Sequence, residues 1–131
     1  MKLNAKFIAL LATIVTFLIT GCRTPVSTEP IAGKQQTGIY QSGNFYATLD
    51  ADSDTVFRTA IRALDDMGVL RTGEMHADDH IMIFARQIGD TKLIVRVRQI
   101  APNKSEVRIR VGVLGNLPES QMIYTKIRDA L

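Results

Sequence analysis

The chain has 131 residues and a formal charge of +3, a length that suits one modest core and therefore one domain. Two of its 16 basic residues, Lys2 and Lys6, lie in a segment that we expect to be removed, which leaves 14 basic against 13 acidic residues. A mature charge so close to zero argues against nucleic acid as a partner, and the single cysteine excludes an internal disulfide.

The chain opens with the pattern of a secretory signal peptide. Lys2 and Lys6 lead into an apolar run over residues 7–20, which is shorter than the roughly 20 residues of a membrane-spanning helix. The run ends in Leu18-Ile19-Thr20-Gly21-Cys22, which resembles the lipobox of bacterial lipoproteins. This resemblance implies that residues 1–21 are removed and that Cys22 is the lipid attachment site. An incidental cysteine in a soluble secretory protein, or an uncleaved anchor, is the alternative.

Residues 22–38 are predicted to form the lipidated cysteine and a flexible tether. The segment after Cys22 holds two prolines, two glycines and few large apolar side chains, so it buries too little surface to offset chain entropy. An arm packed on the domain is the alternative, although no periodicity requires it. Arg23 stands where an aspartate would hold an enterobacterial-type lipoprotein at the inner membrane, so the outer membrane is favoured over the inner.

Folded sequence is predicted to occupy residues 39–131. Apolar and polar side chains alternate over residues 45–49, the pattern of a half-buried strand. A helix follows, for which Asp52 or Ser53 can accept the free amides of the first turn. Apolar residues then recur at spacings of three and four until Gly68, a residue suited to the left-handed cap that ends a helix.

Beyond Gly68 the apolar period changes from 3.6 to two. Strands are predicted near residues 69–75, 80–88, 92–100 and 105–114, with residues that favour tight reversals between them. Such short connections predict an antiparallel meander. Residues 81–85 are apolar at every position, so we expect their strand to lie centrally in the sheet, partly covered on both faces.

The last element is a second amphipathic helix that begins near Pro118, a residue suited to a first helical turn. Its apolar stripe is predicted to contain Met122, Ile123, Ile127, Ala130 and Leu131. The element order is then β-α-β-β-β-β-α, and both helices most economically cover the same face of one sheet. The predicted fold class is α+β, with a single, mostly antiparallel sheet of about five strands and two helices on one face.

The end of the chain carries a recognisable motif. It reads Ile109-Arg110-Val111-Gly112-x-x-Gly115-Asn116, followed by Ser120 and the terminal helix, and it resembles the end of a small family of uncharacterised bacterial lipoproteins. Members of that family join a lipobox to a domain of unknown function that closes on an IRVGxxGD-like motif. Asn116 here stands where the family has aspartate, and Leu114 where it has an aromatic residue. The resemblance implies the fold and the envelope location and supplies no catalytic residue.

His76 and His80 flank Asp78 and Asp79, and all four are residue types that bind metals. A metal-dependent periplasmic hydrolase using the two histidines is therefore the alternative function. A spacing of four brings two histidines together on a helix but not across a strand turn, so a solvated hairpin tip is the simpler interpretation. No serine lies in a nucleophile-elbow motif. We expect no catalytic residue, no metal and no cofactor.

The clearest functional signal is an asymmetry of charge. Residues 50–79 contain eight acidic and three basic residues, whereas residues 86–129 contain nine basic and four acidic ones. Alternation in the last two strands predicts four arginines on one sheet face: Arg96, Arg98, Arg108 and Arg110. Guanidinium groups can hold phosphate or carboxylate through two parallel hydrogen bonds. The alternative is an ordinary solvated face on which Glu106 relieves repulsion at Arg98.

These patterns together predict a lipid-anchored bacterial envelope protein that acts without catalysis, by binding or by supporting an envelope assembly. Its expected partners are the membrane, through the anchor, and an anionic envelope component: an acidic protein, peptidoglycan or lipopolysaccharide. The domain is expected to face the periplasm.

Overall fold

The computed structural model describes residues 23–28 and 36–131, which form seven strands and two helices. The strands are β1 (Thr24–Thr28), β2 (Gln36–Gln41), β3 (Asn44–Leu49), β4 (Leu70–His76), β5 (Ile81–Arg86), β6 (Lys92–Ala101) and β7 (Lys104–Val111). The helices are α1 (Ser53–Asp66), between β3 and β4, and α2 (Leu117–Asp129), after β7.

All these strands belong to one sheet in the order β1-β2-β3-β7-β6-β5-β4, and every neighbouring pair is antiparallel. Both helices pack on the same face of it, where they share one hydrophobic core with the strands. The α+β class and the helical layer on one face are confirmed. The sheet has seven strands rather than about five, because two strands precede the first one predicted.

The additional strands lie where the composition predicts a flexible tether, and the structure differs from that prediction. β1 pairs with β2 from Thr24 opposite Tyr40 to Thr28 opposite Gln36, and β2 continues onto β3. Val26 and Tyr40 pack against the core. An edge hairpin can be held largely by backbone hydrogen bonds, which leave little trace in hydrophobic periodicity. Residues 1–22 and 29–35 lie outside the described part, and with them the predicted signal peptide and Cys22.

Helix α1 begins and ends where the sequence predicts. The Asp52 carboxylate accepts the Thr55 N–H at 2.9 Å and the Thr55 hydroxyl at 2.7 Å. These two hydrogen bonds lower the pKa of Asp52. After the C-cap at Met67, Gly68 takes a φ of +70°, a conformation that glycine adopts without a steric penalty.

The meander from β4 to β7 is also confirmed, with two differences of detail. β7 occupies the centre of the sheet, whereas β5 lies next to the edge strand β4, so the apolar run at residues 81–85 does not mark a central strand. The pairing of β4 with β5 shifts register between Arg71 and Gly73, a bulge at the free edge.

Helix α2 is capped by Asn116, whose side-chain oxygen accepts the Glu119 N–H at 3.2 Å. Its buried face differs from the predicted stripe. Ile123 and Ile127 are buried as predicted, but Tyr124 is buried as well, while Met122 is exposed. The Tyr124 hydroxyl donates to the Thr48 carbonyl at 2.9 Å, which satisfies its polar atom within the core.

Two of the solvent-accessible regions of this fold are the open face and the loop end. The open face is the sheet face opposite the helices. The loop end is the end of the sheet formed by the β2–β3 turn at residues 42–43, the β5–β6 turn at 87–91 and the β7–α2 loop at 112–116. β1 and β4 both start at the loop end, because Thr24 lies opposite Tyr40 and Leu70 opposite Arg86.

Candidate functional site

The strand register brings the four predicted arginines onto the open face. Arg96 lies opposite Arg108 across the β6–β7 pair, and Arg98 lies opposite Glu106 two residues further along. Their strand neighbours Val95, Val97, Val107 and Ile109 are buried under the helices. Since successive side chains of a strand point to opposite faces, burial of these four residues directs the arginines to the open face.

Arg96 and Arg108 would repel each other if their charged groups stayed side by side. Different neighbours draw the two guanidinium groups apart. Arg108 donates from Nε to the Asn44 side-chain oxygen at 2.9 Å and lies over the Tyr46 ring, 5.5 Å from its centroid. Arg96 turns the other way, towards the Asp79 carboxylate, which lies 3.6 Å from its Nη2. His80 Nδ1 lies 3.1 Å from the same nitrogen.

The other two arginines are engaged differently. Arg98 pairs with Glu106 at 3.0 Å, so its charge is balanced locally, as the solvated-face alternative anticipates. Arg110 donates to the backbone carbonyl of Ser42 at 2.9 Å and to that of Val113. Arg108 and Arg110 therefore have neutral hydrogen-bond partners and no acidic partner among the residues that the structure describes.

A depression of about 90 Å³ opens between the diverging side chains. It is lined by Asn44, Met82, Ile94, Arg96, Arg108 and Arg110. Since about 10–15 Å³ of such space is enough for one water molecule, the depression has room for several waters or one small anionic group. Arg96 is one of the lining residues, and its Nε is a buried donor without an acceptor in the described part of the chain.

The wall on the β5 side carries a small charged cluster. His80 Nδ1 lies 2.5 Å from the Asp79 carboxylate, which is also 3.6 Å from Arg96 Nη2. The hydrogen bond with His80 is the main cause that lowers the pKa of Asp79. Asp79 thus offsets part of the Arg96 charge, and the balance of positive charge in the depression rests with Arg108 and Arg110.

The two histidines of the hydrolase alternative do not come together. The His76 ring packs edge-on against Phe57 of α1, with centroids 5.3 Å apart, and is therefore on the helix side. His80 reaches Arg96 on the open face. Over the described ranges, no group of three or more histidine, cysteine or acidic side chains is arranged to hold a metal ion.

The sequence did not predict the roles of two residues of the site, Asn44 and Tyr46. Asn44 is buried, donates to the Ser42 carbonyl at 3.0 Å and aims its oxygen at Arg108. Tyr46 is predictable as an outward residue of the first strand, but its contact with Arg108 depends on the pairing of β3 with β7. That pairing joins segments some 60 residues apart, so no local pattern carries it.

These features define an α+β protein whose antiparallel sheet is covered by helices on one face and carries a small arginine-lined depression on the other. The chain belongs to a family described as protein of unknown function (DUF3568), whose model matches residues 5–130. No curated protein matches the chain. Neither described helix has the length and apolar character needed to cross a membrane.

Proposed function

We propose that this protein is a lipid-anchored, non-catalytic binding protein of the bacterial cell envelope, which holds anionic groups in the arginine-lined depression of its open face. Its anchor is Cys22, and its location is the periplasmic side of a membrane, with the outer membrane favoured over the inner. The main support for binding is that Arg96, Arg108 and Arg110 line one depression. Of these, Arg108 and Arg110 have no acidic partner in the described chain.

The sequence around Cys22 supports the anchor. The lipobox-like residues 18–22 follow an apolar run of signal-peptide length, and the family match begins at residue 5 and so includes them. One acyl chain alone binds a bilayer weakly, so stable attachment requires the two or three chains that bacterial lipoproteins carry. Mass spectrometry of the protein purified from membranes tests this part. Cleavage before Cys22 and an acylated thiol are expected; a bare thiol, or residues 1–21 still attached, would contradict it.

The shape of the depression supports small anionic groups as ligands. Met82 and Ile94 give it apolar lining and three arginines give it guanidinium groups, so it offers charged donors to a phosphate or carboxylate and apolar contact to its carbon substituents. Phosphates of lipopolysaccharide, carboxylates of peptidoglycan and acidic side chains of a partner protein share this chemistry. The metal-dependent hydrolase has no comparable support, since His76 and His80 lie on different sides of the sheet.

The binding test compares two double variants that remove the same charge from different surfaces. Arg96→Gln with Arg108→Gln alters the depression, whereas Arg58→Gln with Arg62→Gln alters the exposed side of α1. Binding of the lipidated protein, in nonionic detergent, to isolated peptidoglycan sacculi and to lipopolysaccharide is measured. Because a hydrogen bond to a charged group contributes about 1.5–3 kcal/mol, the first variant should bind at least about tenfold more weakly. The α1 variant should bind like the wild type.

A crosslinking experiment tests the case in which the ligand is a protein. A photoreactive residue at Ile94, in the lining of the depression, should capture an envelope component in intact cells, and the Arg96→Gln, Arg108→Gln background should abolish that adduct. The same residue at exposed Met122, on α2, serves as the control. The proposal fails if neither polymer binds and position 94 gives no arginine-dependent adduct, or if both double variants weaken binding equally.

A further inference from the structure

The most exposed apolar side chains of this domain gather at the loop end. Within the described ranges nine large apolar residues are exposed, and four of them are at least two-thirds exposed: Leu70 (68%), Ile88 (99%), Val113 (81%) and Leu114 (88%). Leu70 opens β4, Ile88 is in the β5–β6 turn, and the other two are in the β7–α2 loop, so all four belong to the loop end. The other five are 41–47% exposed and lie on the strands, on α2 and at the C-terminal Leu131.

The loop that carries Val113 and Leu114 is held firmly. Gly43 and Gly115 approach so closely that a Cβ on Gly115 would lie 2.6 Å from the Gly43 carbonyl carbon, and a Cβ on Gly43 would overlap the Leu114 carbonyl. Arg110 donates to carbonyls on both sides of this contact, at Ser42 and Val113. The motif at residues 109–116 therefore builds a braced loop that presents two apolar side chains to solvent.

The first described residues lie at the same end. β1 starts at Thr24, opposite Tyr40 at the loop end of β2, and Cys22 is the residue before Arg23. With a strand spacing of about 4.8 Å, β1 and β4 are roughly 29 Å apart across the sheet. The four exposed apolar side chains and Arg23, the sequence neighbour of Cys22, therefore share one end of the sheet and extend over its width. Arg23 and Lys92, both exposed, lie at the same end.

We propose that the loop end docks on the bilayer that holds the lipidated Cys22, with Leu114, Val113, Ile88 and Leu70 entering the lipid interface; this inference rests on the proposed anchor. A bilayer fits because the four side chains project from three separate segments that are spread along the loop end. Exposed lysine and arginine complement anionic headgroups. The strands then stand roughly along the membrane normal, and the open face with its arginines looks sideways into the periplasm.

Environment-sensitive fluorophores on single introduced cysteines test this orientation in the full-length lipidated protein. Leu114→Cys and Ile88→Cys report on the loop end, and Ile100→Cys, an exposed position at the opposite end, is the matched control. The proteins are reconstituted into vesicles of phosphatidylethanolamine and phosphatidylglycerol that contain spin-labelled lipids. Emission at positions 88 and 114 should shift to the blue and be quenched, while emission at 100 should match that in water.

A second variant separates docking from anchoring. Val113→Ser with Leu114→Ser, in the Ile88→Cys background, should lower the docked population by on the order of tenfold, since each buried methylene contributes to membrane binding. The protein should nevertheless float with the vesicles through its lipid. Labels at 88 and 114 that behave like the label at 100 would overturn the docking proposal while leaving the anchor intact. Failure of the anchor itself would appear as two labels per chain, because Cys22 would then react as well.

Discussion

The contact between Gly43 and Gly115 makes a sharp prediction about Gly115→Ala. Gly115 has a φ of +88° and touches the Gly43 backbone, whereas Gly89 has a φ of +87° and no heavy atom within 4 Å of an added Cβ. The two positions share a backbone conformation and differ in their surroundings. Gly89→Ala therefore measures the conformational penalty alone, and Gly115→Ala adds the close approach.

The expected losses of stability follow from the backbone penalty and the close approach. An L-residue in the left-handed region costs about 1–2 kcal/mol, so Gly89→Ala should lower the free energy of unfolding by that amount. Overpacking against an atom that cannot move aside adds about 1–3 kcal/mol, which brings Gly115→Ala to about 2–5 kcal/mol. The effect of alanine on the unfolded chain is the same in both variants and cancels in the comparison.

Urea unfolding followed by circular dichroism measures both variants against the wild type. Each kcal/mol corresponds to about 4–8 °C in Tm for a domain of this size, so thermal scans should separate the two proteins as well. Equal losses at positions 89 and 115 would refute the argument that the glycine contact braces the β7–α2 loop.

Two further predictions concern buried and charged groups. Burial raises the pKa of Tyr124 to about 12, so folding is favoured by a neutral phenol and this contribution is lost as the pH rises from about 10 towards 12. Tyr124→Phe should unfold about 1 kcal/mol more easily at pH 7, through loss of one hydrogen bond, and should lack this alkaline loss in urea unfolding; an unchanged alkaline limb would contradict the assignment. The pKa of Asp79 is lowered by its hydrogen bond with His80, so its contribution is present above its ordinary pKa of 3.8 and disappears as the pH falls through the lowered value. As the pH is lowered, the free energy of unfolding should therefore fall less for Asp79→Asn than for the wild type. Identical falls in the two proteins would contradict a stabilising hydrogen bond between Asp79 and His80.

The elements with strong local patterns were predictable from the sequence. Helix α1 combines an apolar stripe with an acidic cap and a terminal glycine, and the meander combines period-two alternation with turn residues, so each boundary has a nearby cause. The shared face of Arg96, Arg98, Arg108 and Arg110 follows from the same alternation. Residues close together in the sequence were therefore sufficient to predict these features.

The features that escaped prediction depend on contacts between distant segments. The β1–β2 hairpin adds to the sheet mainly through its backbone, and Tyr124 is buried because the Thr48 carbonyl accepts its hydroxyl. The glycines of the 109–116 motif were visible, but the partner that explains Gly115 is Gly43, more than 70 residues earlier. The depression likewise depends on how Asn44 and Asp79 hold Arg108 and Arg96 apart.

The two edge strands of the sheet, β1 and β4, affect how readily the protein aggregates at high concentration. A bare strand margin invites a neighbouring molecule to extend the sheet, which is the first step towards aggregates. Here one margin carries Pro25, which has no N–H to offer, and the other is kinked by the irregularity between Arg71 and Gly73. Molecules crowded side by side on a surface would therefore resist fusing into continuous ribbons.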